Sequence, residues 1–227
     1  DGLLRGFTNP KIEFLERSFT VPAQMIAWIN FFILLMSSLL FLLFYGISVS
    51  PAALSRVIGT QAYQRCGLYR KIAIGFELVT LINFGLYKAF PIQSPIPTQF
   101  PFSGWLSAGI GLIIGLPAMG LMVKGLLDAG SEAIAPKESQ TLYGGIYNHI
   151  RHPQALGEMF LWTIAAFLLN SPFLVLISSI YFPIFLITMW MEEHDLILRF
   201  GQDYIDYMRR TGFVFPKLKS RDDVEKD

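Results

Sequence analysis

Apolar residues in this chain are gathered into blocks, with the polar residues collected between them. Residues 24–47 hold no charged side chain, which is enough helix to cross a hydrocarbon core of about 30 Å. Residues 72–90 form a second block, with Glu77 near one end and Lys88 near the other, and residues 104–127 form a third. Residues 156–169 and 173–191 form a fourth and a fifth, parted by Asn170, Ser171 and Pro172. Runs of this length are helices, not strands. The pattern therefore predicts an all-α, polytopic integral membrane protein of about five transmembrane helices. The fourth block is the exception in length. Its 14 residues make a helix of only about 21 Å, so either it starts inside the membrane boundary or the protein shields its polar entrance.

Breakers sharpen these limits. Pro91, Pro95, Pro97 and Pro101 make the connector after the second block extended, because proline cannot continue a helix ladder. Pro117 and Pro183 are expected to bend the third and fifth helices. Gly111 and Gly115 make a small-xxx-small pair, a signature of close helix contact. Residues 1–23 mix charges with Ile12, Phe14, Leu15 and Phe19, which predicts a short interfacial helix on the membrane surface. The first long apolar run exceeds the h-region of a cleaved signal and is read as a span. The whole chain, 1–227, reads as a single domain.

Composition agrees. Over half of the residues are hydrophobic and 15% are charged, against about 25% in soluble domains. A net charge of +1 and the lack of a basic, aromatic-studded face argue against nucleic acid as a partner. Cys66 is the only cysteine, so no intramolecular disulfide can form. His149, His152 and His194 follow no close ligand spacing, and no metal is expected. Fourteen of the 18 basic residues fall on one side of a five-span topology. The positive-inside rule then puts the first and third loops and a C-terminal helical cap in the cytoplasm, with the active site facing that side.

Candidate chemistry lies in the third loop and at the end of the fifth block. Residues 145–158 bring Arg151, His149, His152 and Glu158 together beside apolar helices, and lipid solvates none of them. Pro153 holds His152 extended and fits the first turn of the next helix, where free backbone N–H groups favour anions. A basic loop on lipid head groups is the competing reading. Glu158, one turn in, could pair with Arg151, while Glu77 and Lys124 could be snorkelling groups near span ends. Glu192 and Glu193 end the fifth block and oppose the helix dipole, so a cation such as Arg151 or Arg199 is expected nearby.

These residues carry a resemblance. Gly-Ile-Tyr-x-x-x-Arg-His-Pro-Gln-x-Leu-Gly-Glu at 145–158, a hairpin, then Glu-Glu-x-x-Leu-x-x-x-Phe-Gly-x-x-Tyr-x-x-Tyr at 192–207 resemble the isoprenylcysteine carboxyl methyltransferases. The wider group includes membrane phospholipid methyltransferases. The likeness covers about 128–216, which it marks as the cofactor-binding and catalytic region. It implies S-adenosyl-L-methionine held by Glu132, Ser139, Gln140, Thr141, Leu142, Tyr147, His152, Pro153, Gln154 and Ala155. It also implies catalytic roles for Glu192, Glu193 and Arg199, and an acceptor contacting Thr188 and Glu192. The implied partner is a lipid or prenylated acceptor from the bilayer, with isoprenylcysteine α-carboxyl O-methylation leading and a phospholipid amine or a thiol as alternatives. Ala155 stands where the family carries an aromatic residue. Thr188 stands where members acting on isoprenylcysteine carry an arginine, and Arg199 is the candidate to replace it. A membrane haem- or lipid-binding relative using His149 or His152 is the non-methylating alternative.

Overall fold

The computed structural model describes residues 10–137 and 144–217, with side chains described from Pro22 onward except that of Glu132. The expected contacts of Ser139, Gln140, Thr141 and Leu142 lie outside these residues. Within them the chain is all-α, in the order α1 (Pro10–Ser48), α2 (Pro51–Ile58), α3 (Gln61–Ala89), α4 (Gly104–Ala129), α5 (Pro153–Leu168), α6 (Pro172–Ser178), α7 (Tyr181–Phe200) and α8 (Gln202–Arg210). Two 3-10 turns, Gly130–Ala133 and Gly145–Asn148, lie on the way from α4 to α5.

Among the described residues, four stretches are long and apolar enough to cross a membrane: Pro22–Ser48, Gln61–Ala89, Gly104–Ala129 and Pro172–Phe200. The fourth predicted span is present as α5, but its 16 residues reach only about 24 Å. It is screened instead by its neighbours, and ten of its residues are buried. α4 packs along α5 and α1 along α3. The glycines of α4 explain the first pairing. A Cβ on Gly111 would stand 3.0 Å from that of Phe167, and one on Gly115 would stand 3.1 Å from Ile164. From the other side, a Cβ on Gly157 would lie 2.3 Å from the Ala118 carbonyl oxygen. The small residues thus serve contact within the chain.

Two sequence expectations are corrected. The N-terminal segment is not a separate surface helix, because α1 runs unbroken from Pro10 through Pro22. α3 begins at Gln61, a good helix former, so Glu77 falls in mid-helix and not near a span end. The bend expected from Pro183 is present as a break of the arm at Ser179 and Ile180, between α6 and α7, because Pro183 has no N–H for the Ser179 carbonyl and its ring crowds that group.

A line of polar contacts threads the apolar core. Asn30 Nδ2 donates to the Asn83 carbonyl (3.1 Å), Ser37 meets Thr80 (2.8 Å) and Ser38 meets the Tyr181 hydroxyl (2.5 Å). Such bonds fix helix register in lipid, where apolar surface alone gives helices little preference. Tyr87 stacks on Phe173 and Trp162 on Tyr181, at 4.8 and 5.2 Å between ring centres. Both pairs join α3 or α5 to the α6–α7 arm.

Candidate active site

The polar end of the bundle is assembled from four parts of the chain. His152 stands at the cap position of α5 with φ −126° and ψ 54°, outside the helical region but short of the extended backbone expected before proline, and Pro153 follows at the first helical position. α7 continues to Phe200, two turns past Glu192 and Glu193. The paired carboxylates are therefore not at a helix end, and the expected cost against the dipole does not arise. Gly201, at φ +57°, breaks the helix and starts α8. After α8 the chain returns as a strap. Arg151 N–H donates to the Gly212 carbonyl (2.9 Å), His152 N–H to that of Phe213 (3.3 Å), and Gly212 N–H to that of His149 (3.3 Å).

His152 is 4% exposed, and both ring nitrogens face carboxylates. Nδ1 lies 3.4 Å from Glu192 Oε2 and Nε2 lies 3.2 Å from Glu193 Oε1. Burial alone would lower its pKa. The hydrogen bonds to Glu192 and Glu193 outweigh that and raise it from the ordinary value of 6.5. An imidazolium donates from both nitrogens and suits this site better than either neutral tautomer. Arg151 Nε donates to the same Glu193 oxygen at 2.5 Å, and its Nη1 reaches the Met208 and Thr211 carbonyls at 3.1 and 2.5 Å. Glu193 is thus held between two cations, and Glu158 is not Arg151's partner. Glu192 remains 37% exposed in its side chain and opens outward.

Glu192 opens onto a half-enclosed cavity of about 70 Å³ that is continuous with solvent. Tyr147, Arg151, His152, Gln154, Ala155 and Glu192 line it. Arg70 and Tyr45 come from the first half of the chain, and Leu196, Phe200, Tyr204 and Tyr207 form the roof. Arg70 fastens this wall by donating to the Ala133 and Ser48 carbonyls at 2.8 and 3.1 Å. Tyr207 donates to the Tyr147 carbonyl at 2.6 Å, and Tyr147 to that of Gly125 at 3.3 Å. Asp128 accepts the Ile146 N–H at 2.7 Å. Gly145 beside it has φ +65°, and a Cβ there would collide with the Asp128 carboxylate.

Other predicted residues lie off this cavity. Pro153 is buried in the start of α5, and Glu193 stands behind His152. Thr188 is buried, with its hydroxyl turned back to the Phe185 carbonyl at 2.9 Å. Arg199 stacks over Tyr63 and Phe200 and donates to the Lys137 carbonyl. The backbone of Glu132 lies in the turn Gly130–Ala133. Tyr204 and Tyr207 were visible in the Tyr-x-x-Tyr spacing, which places both on one helix face. Tyr45 and Arg70 had no such local signal. Asp195 was also missed. It accepts the Ala52 and Ala53 N–H groups at 3.1 and 2.7 Å, supplying from α7 the cap that α2 lacks locally.

These features define an all-α polytopic membrane protein with a polar, half-enclosed cavity at one end of its helices. Its curated similarities are to membrane-methyltransferase sequences of the isoprenylcysteine carboxyl methyltransferase-like kind. It is 30% identical to a protein-S-isoprenylcysteine O-methyltransferase of Xenopus laevis over 148 residues, 62% of this chain and 51% of the relative. It is 26% identical to methanethiol S-methyltransferase 2 of Bradyrhizobium diazoefficiens over 155 residues, 64% of this chain and 58% of the relative. It is 29% identical to a protein-S-isoprenylcysteine O-methyltransferase of Tribolium castaneum over 129 residues, 51% of this chain and 43% of the relative. The chain spans about half the length of the curated relatives it matches. No family model and no solved structure matches it. Among the described residues, no group of three or more metal-ligating side chains comes together.

Proposed function

We propose that this chain is an integral membrane methyltransferase that uses S-adenosyl-L-methionine to methylate a lipidic or lipid-anchored acceptor, its site facing the cytoplasm. One observation carries the reading. Residues of the shared pattern that lie far apart in sequence, from Tyr147 through His152 and Glu192 to Tyr207, converge on one cavity. Its lining suits the proposed cofactor. Tyrosine faces and Phe200 suit an adenine ring, Glu192 a cationic group, and Arg70 and Arg151 a carboxylate. Ala155, in place of an aromatic residue, leaves the wall open where α5 begins.

The bound cofactor would supply an electrophilic methyl on a sulfonium. The residues contribute position and charge. Glu192 sits at the inner wall, oriented by His152, and His152 is held by Glu193, which Arg151 fixes in turn. This order favours alignment of two ligands that arrive from different phases. The relatives' names support two acceptor chemistries, an isoprenylcysteine carboxyl group and a thiol. The first is the leading reading, since a carboxylate acceptor needs no base. A thiol would have to lose a proton, and Glu192 is the exposed carboxylate within reach.

Calorimetric titration of S-adenosylhomocysteine into purified protein tests the reading. Saturable binding that is lost in His152→Ala and weakened in Glu192→Gln is the expected outcome. A well-folded protein that binds none would overturn it.

A further inference from the structure

A second cavity lies at the opposite end of the bundle. Arg70 lines the first cavity and Lys88 the second, and the two stand about 27 Å apart along α3. This cavity holds about 300 Å³ and is half open, many times the room of about 10–15 Å³ that one water needs. The last turn of α3 supplies Tyr87, Lys88 and Ala89, the proline-rich connector supplies Thr98 and Gln99, and Ser171 closes one side before α6. Its walls are fixed. Ile92 is 7% exposed in the core, and Phe100 stacks on Phe167 of α5 at 5.4 Å between ring centres. The connector is thus pinned on both sides of Thr98 and Gln99.

The polar groups gathered here are unused. Among the described residues, the Tyr87 hydroxyl and the side chains of Lys88, Thr98 and Gln99 make no hydrogen bond and no ion pair. That is ordinary for Lys88, Thr98 and Gln99, which are exposed. It is not ordinary for Tyr87, which is 2% exposed, because polar groups so deep are normally paired. The Tyr87 ring is packed in the core and stacked on Phe173, so its hydroxyl is the part that meets the cavity. An ammonium, two hydroxyls and an amide therefore converge on one space, and no carboxylate lines it. Such a set suits a compact anion with several acceptor oxygens.

The surroundings point to what carries that anion. Trp105, at the start of α4, is 90% exposed, and an exposed tryptophan at a span end marks the level of the head groups. Ala89 shares a face of α3 with Leu86 and Ile82, which are 44% and 62% exposed. An apolar track thus climbs the helix to the cavity mouth.

We infer that this second cavity binds a phosphate group, carried by an anionic phospholipid whose acyl chains lie along Leu86 and Ile82, with Tyr87 and Lys88 holding its oxygens. Free phosphate is the other source of the same chemistry. A lipid held there is a resident ligand and not a methyl acceptor, since the thickness of the bundle parts it from the first cavity. It ties the end of α3 to the connector and to α6. The site is independent of the methyltransferase reading.

Titration of the delipidated full chain in neutral detergent tests it, with dioctanoylphosphatidylglycerol, dioctanoylphosphatidylcholine and inorganic phosphate as probes. Phosphatidylglycerol should bind about tenfold more tightly than phosphatidylcholine and raise the thermal midpoint as it saturates. Tyr87→Phe should weaken it about threefold to tenfold, and Lys88→Gln about tenfold or more, each with its unliganded midpoint unchanged. Lys71→Gln, which removes an exposed charge at the other end of α3, should leave the affinity within about twofold. Inorganic phosphate separates the sources. Binding about tenfold or more weaker than the lipid supports the lipid, whereas equal affinity overturns the lipid and leaves a site for free phosphate. The whole inference is overturned if wild type does not distinguish the two lipids, if Tyr87→Phe has no effect, or if Lys71→Gln weakens binding as much as Lys88→Gln. Each of those results reduces the binding to diffuse attraction between charges.

Discussion

The two ends of α5 are held by opposite means. Toward Phe167 the helix is fixed by shape, with glycines of α4 letting backbones approach until a single methyl group would collide. Toward His152 it is fixed by charge, with one histidine and one arginine sharing Glu193 and a strap hydrogen-bonded alongside. Close packing tolerates little change in volume but is indifferent to pH and salt. A buried ion network tolerates neither loss of a partner nor a shift in protonation. The part proposed to bind ligands is thus the part whose stability depends on conditions, and the apolar end is the rigid support.

Substitutions should separate the two regimes. The largest effect is expected from Arg151→Ala, which leaves Glu193 with only His152 for a partner and frees the Met208 and Thr211 carbonyls. Loss of about 3–5 kcal/mol is expected from breaking a buried pair, read as a fall in the thermal midpoint in detergent. Gly111→Ala should follow, at about 1–3 kcal/mol, because its new methyl would stand 3.0 Å from the Phe167 Cβ and 3.4 Å from the Ile164 carbonyl oxygen. That loss should be the same at pH 6 and pH 8, and a pH-dependent loss would show the lipid end to be less purely steric than described.

Protonation is the third lever. His152 has its pKa raised in the folded state, so its contribution is complete below the ordinary value of 6.5 and is lost as pH rises through the raised value. Wild-type stability should decline over that window, and His152→Ala should flatten the decline. An unchanged slope would count against the imidazolium. The smallest effect belongs to Gly120→Ala on α4, where an added methyl meets nothing within 4 Å. A change within about 0.5 kcal/mol is expected, and a larger one would reveal a partner on that face.

Much of this was legible in the sequence because it is local. The His152-Pro153 helix start, the Gly201 break and the Tyr204–Tyr207 face each follow from neighbours a few residues apart. The apolar blocks likewise announced the long helices. What was not legible depends on distance along the chain. Nothing near Arg70 says that it meets Ala133, and nothing near Asp195 says that it caps α2. The length of α7 was misjudged because hydrophobicity stops at Met191 while the helix does not. Charged residues sustain it for two more turns, where Glu192 faces the cavity, Glu193 meets Arg151 and His152, and Asp195 caps α2. Glu77 was misread for the same reason, since the basic residues at the start of α3 hid its true beginning.

The strap has a consequence for how the protein is made. His149, Arg151 and His152 obtain their partners from residues 208–213, which leave the ribosome some 60 positions later. During that interval α1 to α7 can enter the bilayer and pack, yet the cavity lacks Tyr204 and Tyr207 from its roof and the strap that fixes its wall. The site is therefore completed only after α7 has been made and has packed. A nascent chain halted before Thr211 should be integrated in the membrane and still be unable to retain its ligand.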